Sequence, residues 1–341
     1  MRTGKIAALL VGLAAAACGG GATAPSGPAE PVVPTYSVTA TVFYDENGDG
    51  QLDLGEATRV PGVDVAIGTG TGTSAPGTGL AVVTGIQAGS LTAAVRTDSL
   101  PAYFQPPAPV PVQVPGTGEI RIPLTLPIGR NNTNVYWGYG DSITAGQGSS
   151  DNKGYVLRLQ NLLGPYFARA EVQAFGRPGT FSSEGADRIK LWMRNYDPAY
   201  LLLHYGTNDW NDESCQNADP LACYTIDSLR EMVEIAKDRD TLPVLATIIP
   251  GNPALVPPGR NIWYDQLNVG IKALARDEQV VLADLNAEFK AAGNLSSLYS
   301  DDVHPNDAGY QVMAQGWFKA ITRARSAAAS SRRRLGFSLH P

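Results

Sequence analysis

An apolar, aromatic run, Val135-Tyr136-Trp137-Gly138-Tyr139, stops abruptly at Gly140-Asp141-Ser142, and the small residues Thr144, Ala145 and Gly146 follow. Such a run reads as a buried β-strand that ends in a tight turn and presents Ser142 at its carboxyl end. In an open α/β sheet that edge is where ligands and reactive groups collect. A serine is a poor nucleophile until a base takes its proton. The rest of the chain must therefore supply a base, a group that orients it, and donors for an oxyanion.

From residue 133 onward, strand-like and helix-like stretches alternate. Strands are expected at residues 134–139, 170–175, 200–205, 242–249 and 280–285. Leu201, Leu202 and Leu203 are consecutive, as a strand buried on both faces requires. Helical spacing is expected over residues 155–163, 182–196, 227–237, 263–276 and 306–325. Five strands alternating with helices make an α/β fold with a doubly wound, five-stranded parallel sheet.

Residues 35–128 have a different character. Short β-rich runs at 36–44, 63–67, 80–83, 91–95, 110–114 and 120–126 are separated by turn residues and show no helical period. That is the pattern of a small antiparallel β-sandwich. Its first loop carries Asp45, Asn47, Asp49, Gln51, Asp53 and Glu56, with Gly50 sixth in the loop. Oxygen donors at positions 1, 3, 5, 7, 9 and 12 match the template of a calcium loop. The flanks are strands, so no pair of helices opens around it, and a structural calcium ion is expected. Strand, loop and the following Pro61-Gly62-Val63-Asp64-Val65-Ala66-Ile67 together resemble the calcium-binding B-type repeats of bacterial surface proteins over roughly residues 38–98. The resemblance implies a rigid spacer or stalk.

The amino terminus reads as an export signal. Arg2 and Lys5 precede an uncharged run from residue 6 to 17, too short to span a bilayer. It ends Ala15-Ala16-Ala17-Cys18-Gly19, which resembles a bacterial lipoprotein signal and implies lipidation of Cys18. Cleavage after Ala17 or near Ala24 is the alternative. The domain plan is then a signal over 1–18, a Gly/Ala/Pro/Ser tether over 19–34, the β domain over 35–128, the α/β domain over 129–325 and a disordered tail over 326–341. In an exported chain, Cys215 and Cys223 are expected to close a small disulfide loop. The protein is placed in the bacterial cell envelope, held to a membrane by a lipid anchor at the outer membrane or cell surface, or else is periplasmic or secreted. The net charge of −6 and the absence of a basic face exclude nucleic acid as an expected partner.

The base comes from three histidines. His340 lies in the tail and His204 inside a buried strand, where a hydrogen-bonded structural role is expected. His304 lies in Asp301-Asp302-Val303-His304-Pro305, a polar loop before the last helix. Asp301 is spaced to turn back onto the other ring nitrogen, with Asp302 as its rival. Tyr205-Gly206-Thr207-Asn208-Asp209 ends the third strand, where the Asn208 amide could meet an oxyanion. Gly179 follows the second strand, where its N–H could approach a substrate.

These four blocks, in this order, resemble the SGNH/GDSL hydrolase superfamily over about residues 133–325. The resemblance implies a flavodoxin-like sheet, a Ser142 nucleophile, a His304 base and an Asp301 orienter. It also implies an oxyanion hole from the Ser142 and Gly179 N–H groups and the Asn208 side chain. Ile143 replaces the usual Leu, and Ala174 stands where an Asn is common, which gives Gly176 some claim to the hole.

The expected activity is serine ester hydrolysis with no catalytic cofactor. Short-chain or acetyl esters are the expected substrates, such as those on an acetylated polysaccharide. A lysophospholipase-type lipid hydrolase, a protease with the same triad, and an inactive calcium-stabilised surface binding protein are the alternatives. Trp210, Tyr264 and the 250–260 loop are expected to border the cleft.

Overall fold

The structure is a computed structural model that describes residues 33–116, 118–216 and 219–324. Cys18, the tether up to residue 32, His340 and the tail from residue 325 lie outside the described residues. Thr35 to Ala324 belong to one compact unit.

Its first part holds seven strands: β1 (Thr35–Tyr44), β2 (Asp64–Ile67), β3 (Gly70–Thr73), β4 (Leu80–Gln87), β5 (Gly89–Val95), β6 (Val110–Val114) and β7 (Ile120–Leu124). They form two sheets, β4-β1-β7 and β3-β2-β5-β6. The expected all-antiparallel pattern holds except between β1 and β7, which run parallel. Strand β3, sequence Gly-Thr-Gly-Thr, carries no apolar residue to announce it. Its glycines are needed for close approach. A Cβ on Gly72 would sit 2.4 Å from the Val82 carbonyl oxygen, and one on Gly70 2.7 Å from that of Thr84.

The second part runs β8 (Asn132–Gly140), α1 (Gly154–Phe167), β9 (Glu171–Gly176), α2 (Ser182–Trp192), β10 (Pro198–His204), α3 (Glu213–Gln216), α4 (Thr225–Lys237), β11 (Leu242–Ala246), α5 (Pro258–Asp277), β12 (Val281–Ala283), α6 (Leu285–Ala291) and α7 (Asp307–Thr322). The sheet order is β12-β11-β10-β8-β9, parallel throughout. This is the flavodoxin-like order, and its switch point lies between β8 and β10. Ser142 follows β8 and Asn208 follows β10, so both emerge at that crevice.

Every residue of β10 is buried. Its Tyr200 and Leu202 face one apolar cluster with Tyr155 and Leu159 of α1 and Met313 and Trp317 of α7. Its Leu201 and Leu203 face the other, with Ile189 of α2, Met232 of α4 and Leu267 of α5. Leu201, Leu202 and Leu203 are fully buried, each contributing roughly 1.5–3 kcal/mol. The sheet is therefore clad on both faces, which is why the strand needs no polar alternation. The expected strand over 280–285 stops at Ala283. Asp284 instead caps α6, its side chain accepting from the Ala287 N–H.

The β-rich part is not a spacer set apart from the sheet. Its core residues, among them Val42, Tyr44, Leu100 and Phe104, belong to the same apolar cluster as α1 and α7. Phe104 packs on Phe167 and Tyr103 on Tyr200. The Tyr103 hydroxyl donates to the Pro243 carbonyl and accepts from the Val281 N–H, joining β11 to β12 at the sheet's amino end. Glu46 takes the Thr133 hydroxyl at 2.7 Å.

Candidate active site

The nucleophile turn is built on close packing. A Cβ on Gly140 would lie 2.2 Å from Thr144 Oγ1 and 2.4 Å from the His204 carbonyl oxygen, so only glycine fits at the end of β8. The chain then turns on itself, with Ala145 N–H donating to the Asp141 carbonyl and Gln147 N–H to that of Ser142. Gly176 packs behind this turn, where a Cβ would meet Ala145 N at 2.2 Å.

Asp141 is fully buried, and its Oδ1 accepts the Ile143 N–H at 2.9 Å. Its Oδ2 has no partner among the described residues. Burial, with the Asp209 carboxylate adding to it, pushes its pKa up to about 7.

Ser142 is 6% exposed, and its Oγ lies 2.8 Å from His304 Nε2. His304 Nδ1 lies 2.7 Å from Asp301 Oδ2. Asp301 Oδ1 accepts the backbone N–H of His304 at 2.7 Å and that of Val303 at 3.0 Å. Partial burial alone would raise the Asp301 carboxyl. The bonds from His304 and Val303 outweigh it and hold the group below its ordinary value, so it stays ionised. Asn306 caps α7 by accepting from Ala308 and Gly309, which pins the chain just after the histidine.

Asp302, the rival orienter, does not reach the ring. Its carboxylate pairs with Arg260 at 3.3 Å, and its carbonyl accepts the Asn252 N–H. His204 is fully buried, but both ring nitrogens lack a described partner, contrary to the hydrogen-bonded role expected for it. Burial pulls its pKa down to about 4, so it is a neutral ring at the end of β10, the strand that lies between β8 and β11.

The oxyanion candidates come from two loops. Asn208 Nδ2 donates to the Thr180 carbonyl at 3.0 Å. One amide hydrogen thus orients the side chain and leaves the second for another acceptor. Gly179, next to Thr180, has φ +73°, a conformation that glycine adopts without strain, and lies exposed. Behind them Asp209 is fully buried. It accepts the Ser182 N–H at 2.9 Å, the Ser182 hydroxyl at 2.6 Å and the Thr225 hydroxyl. That triple bond set ties the Asn208 segment to the start of α2, and burial holds the Asp209 carboxyl above its ordinary value.

Tyr264, expected at the cleft wall, is fully buried instead, and its hydroxyl donates to the Thr207 carbonyl at 2.9 Å. Trp210 is half-buried with its ring edge-on to Trp263. Cys215 and Cys223 form a disulfide in the segment after Asn208, and Trp263 Nε1 donates to the Cys215 carbonyl. Sequence patterns did not single out Thr180, and they reached Asn252 and Arg260 only as part of the 250–260 loop expected at the cleft. Each acts through a contact with a distant segment, and none stands in a motif.

The remaining expected residues, Asp45, Asn47, Asp49, Gln51, Asp53 and Glu56, form one loop of the β-rich part. Asp45 accepts the N–H groups of Gly48 and Gly50, and Glu56 those of Glu46 and Asp53. Asn47 Nδ2 donates to Asp49 and Asp53. Among the described residues, no three His, Cys, Asp or Glu side chains are gathered as a metal site would gather them.

A serine at the carboxyl edge of a doubly wound sheet, against a histidine backed by a carboxylate, defines the class of α/β serine hydrolases. Residues 139–312 match the GDSL-like Lipase/Acylhydrolase family, and the chain belongs to it. It is a serine ester hydrolase. It is similar to a GDSL lipase of Mycobacterium tuberculosis, with 27% identity over 209 residues, 59% of this chain and 85% of that one. Among solved structures it is similar to a GDSL-like lipase from Parabacteroides merdae (20% identity, 57% of this chain and 98% of that chain, TM-score 0.49). It is also similar to a variant of an acetyl xylan esterase from Geobacillus stearothermophilus (23% identity, 56% and 95%, TM-score 0.46).

Proposed function

We propose that Ser142, His304 and Asp301 are the catalytic triad of an esterase for short-chain or acetyl esters. The observation that carries the reading is the unbroken relay from Ser142 Oγ to His304 Nε2 at 2.8 Å and from Nδ1 to an ionised Asp301 at 2.7 Å. His304 takes the Oγ proton as Oγ attacks the acyl carbon. The developing oxyanion is met by the N–H groups of Ser142 and Gly179 and the second amide hydrogen of Asn208. The alcohol leaves with the proton from His304. Water, deprotonated by the same ring, then releases the acid and restores the Ser142 hydroxyl.

The short acyl group is supported by the polar setting. The backbone of Ser142 and His304 is bonded by the polar residues Gln147, through its N–H, and Ser300, through its hydroxyl, whereas a long acyl chain would need apolar walls. Acetylated polysaccharide is the substrate class this setting suits. The test is hydrolysis of p-nitrophenyl acetate and p-nitrophenyl octanoate beside Ser142→Ala. Acetate turnover that vanishes in the variant is the expected result. A preference for octanoate would favour a lipid substrate such as a lysophospholipid. No turnover above the variant, with folding verified, would favour the binding-protein reading.

The loop from 45 to 56 is read as a structural calcium site, with Asp45, Asn47, Asp49, Asp53 and Glu56 side chains and the Gln51 carbonyl as donors. Its support is that Asp45 and Glu56 are each 4% exposed, with backbone N–H partners, and that no basic side chain bonds either carboxylate among the described residues, Arg59 reaching only the Glu56 carbonyl. Calcium should raise the melting temperature and a chelator lower it, and no change in either direction would sink this reading. Anchoring through Cys18 in the cell envelope is likewise part of the proposal. Palmitate labelling that persists in Cys18→Ala would overturn it.

A further inference from the structure

Arg260 is 6% exposed and stands in the first turn of α5. A helix start is an unfavourable place for a buried cation, because the exposed N–H groups there already carry partial positive charge. Such a cation persists only where its donors are taken up. Here Nε donates to the Tyr264 hydroxyl at 2.7 Å, Nη2 to the Thr207 carbonyl at 3.4 Å and Nη1 to Asp302 at 3.3 Å.

The Tyr264 hydroxyl donates to the same Thr207 carbonyl at 2.9 Å. That carbonyl therefore has two donors, which set the plane of the peptide leading into Asn208. At the other end the loop before α5 grips the histidine loop. Asn252 N–H donates to the Asp302 carbonyl at 2.8 Å and Asn252 Nδ2 to the Asp301 carbonyl at 3.1 Å.

We propose that Arg260 is a positioning residue. It clamps the Asn208 segment to the Asp301–His304 loop, so that the oxyanion donor and the base hold their separation through the reaction. The proposal rests on the esterase reading above and adds a residue that touches neither substrate nor reacting atoms. A planar guanidinium suits this work, because its donors point along fixed directions to three acceptors at once. Misplacement of a donor by less than an ångström is felt in the transition state more than in substrate binding. Removing the clamp should therefore lower kcat and leave KM nearly unchanged. A guanidinium that only packs against the Tyr264 ring, 5.6 Å away, would give no such division.

The experiment compares wild type, Arg260→Met, Arg260→Lys, Tyr264→Phe and the Arg260→Met/Tyr264→Phe double variant, with Ser142→Ala as the blank. It reads p-nitrophenyl acetate kinetics, the rate at which a fluorophosphonate labels Ser142, and the melting temperature. Arg260→Met should lose roughly tenfold or more in kcat and in labelling rate, with KM within about twofold. Arg260→Lys should recover part of the loss. Tyr264→Phe should lose less, and the double variant should fall short of the product of the single losses, because both side chains serve one carbonyl. Arg260→Met with wild-type kcat and labelling rate would overturn the clamp. So would a loss that follows the melting temperature alone and that lysine does not relieve. A wild type that takes no more label than Ser142→Ala would overturn the esterase reading itself, and the clamp with it.

Discussion

Asp141 is the residue whose chemistry is least comfortable, because its carboxyl is fully buried beside the nucleophile with one oxygen unpartnered among the described residues. Its pKa is raised from 3.8 to about 7. A raised folded-state value means that stability is full below the unfolded value and is lost as pH rises through the folded one. The loss by pH 8 is on the order of 4 kcal/mol. Asp141→Asn removes the titration. The variant should melt above wild type at pH 8, with the gap narrowing toward pH 5, and calorimetry across that range reads it. Asn208 tests the oxyanion hole. Asn208→Ala should lower kcat by about 10²–10³, as removal of one such donor typically does, with KM little changed. Of the site, the histidine block was the part most open to sequence reasoning, because Asp301 and His304 lie three residues apart and meet within one turn of loop. Asn208 could be placed at a strand end, but the Thr180 carbonyl that aims its amide lies on another loop and left no local trace.

At the scale of elements, the segment joining β10 to α4 shows how a site loop is stiffened. Its disulfide closes a separation of eight residues, and Trp263 of α5 bonds the Cys215 carbonyl from below. Restricting a loop of that size in the unfolded chain contributes about 2.5 kcal/mol in the chain-entropy account. Cys215→Ser/Cys223→Ser should lose about that much in a denaturant titration, and a reductant should then have no further effect on the variant. Strand β3 and helices α3 and α6 were the elements that patterning missed. The glycines of β3 serve the approach to β4 and offer no hydrophobic period. Helix α6 is seven residues long and starts where the fifth strand was expected to continue. Short elements are held by what they pack against, so their own residues say little.

At the scale of the whole molecule, the β-rich part and the parallel sheet share one apolar cluster, with Tyr103 wedged at the amino ends of β11 and β12. Residues 129–325 made alone would expose that surface. They should show no cooperative melt, or one far below that of residues 35–325, as circular dichroism would read. An equal melt would restore the picture of a detachable spacer. By itself the sequence determined the alternation of strands and helices, the sheet buried on both faces, and the strand end that delivers Ser142. Those features rest on periodicity and on groups a few residues apart, which neighbouring positions specify directly. Only the tertiary structure decided that Asp302 faces Arg260 rather than the histidine, that Tyr264 is buried under Thr207, and that the β-rich part is built into the core. Each of these depends on segments far apart in the chain coming within bonding distance. Such closure is set by the packing of the whole fold, which no local pattern records.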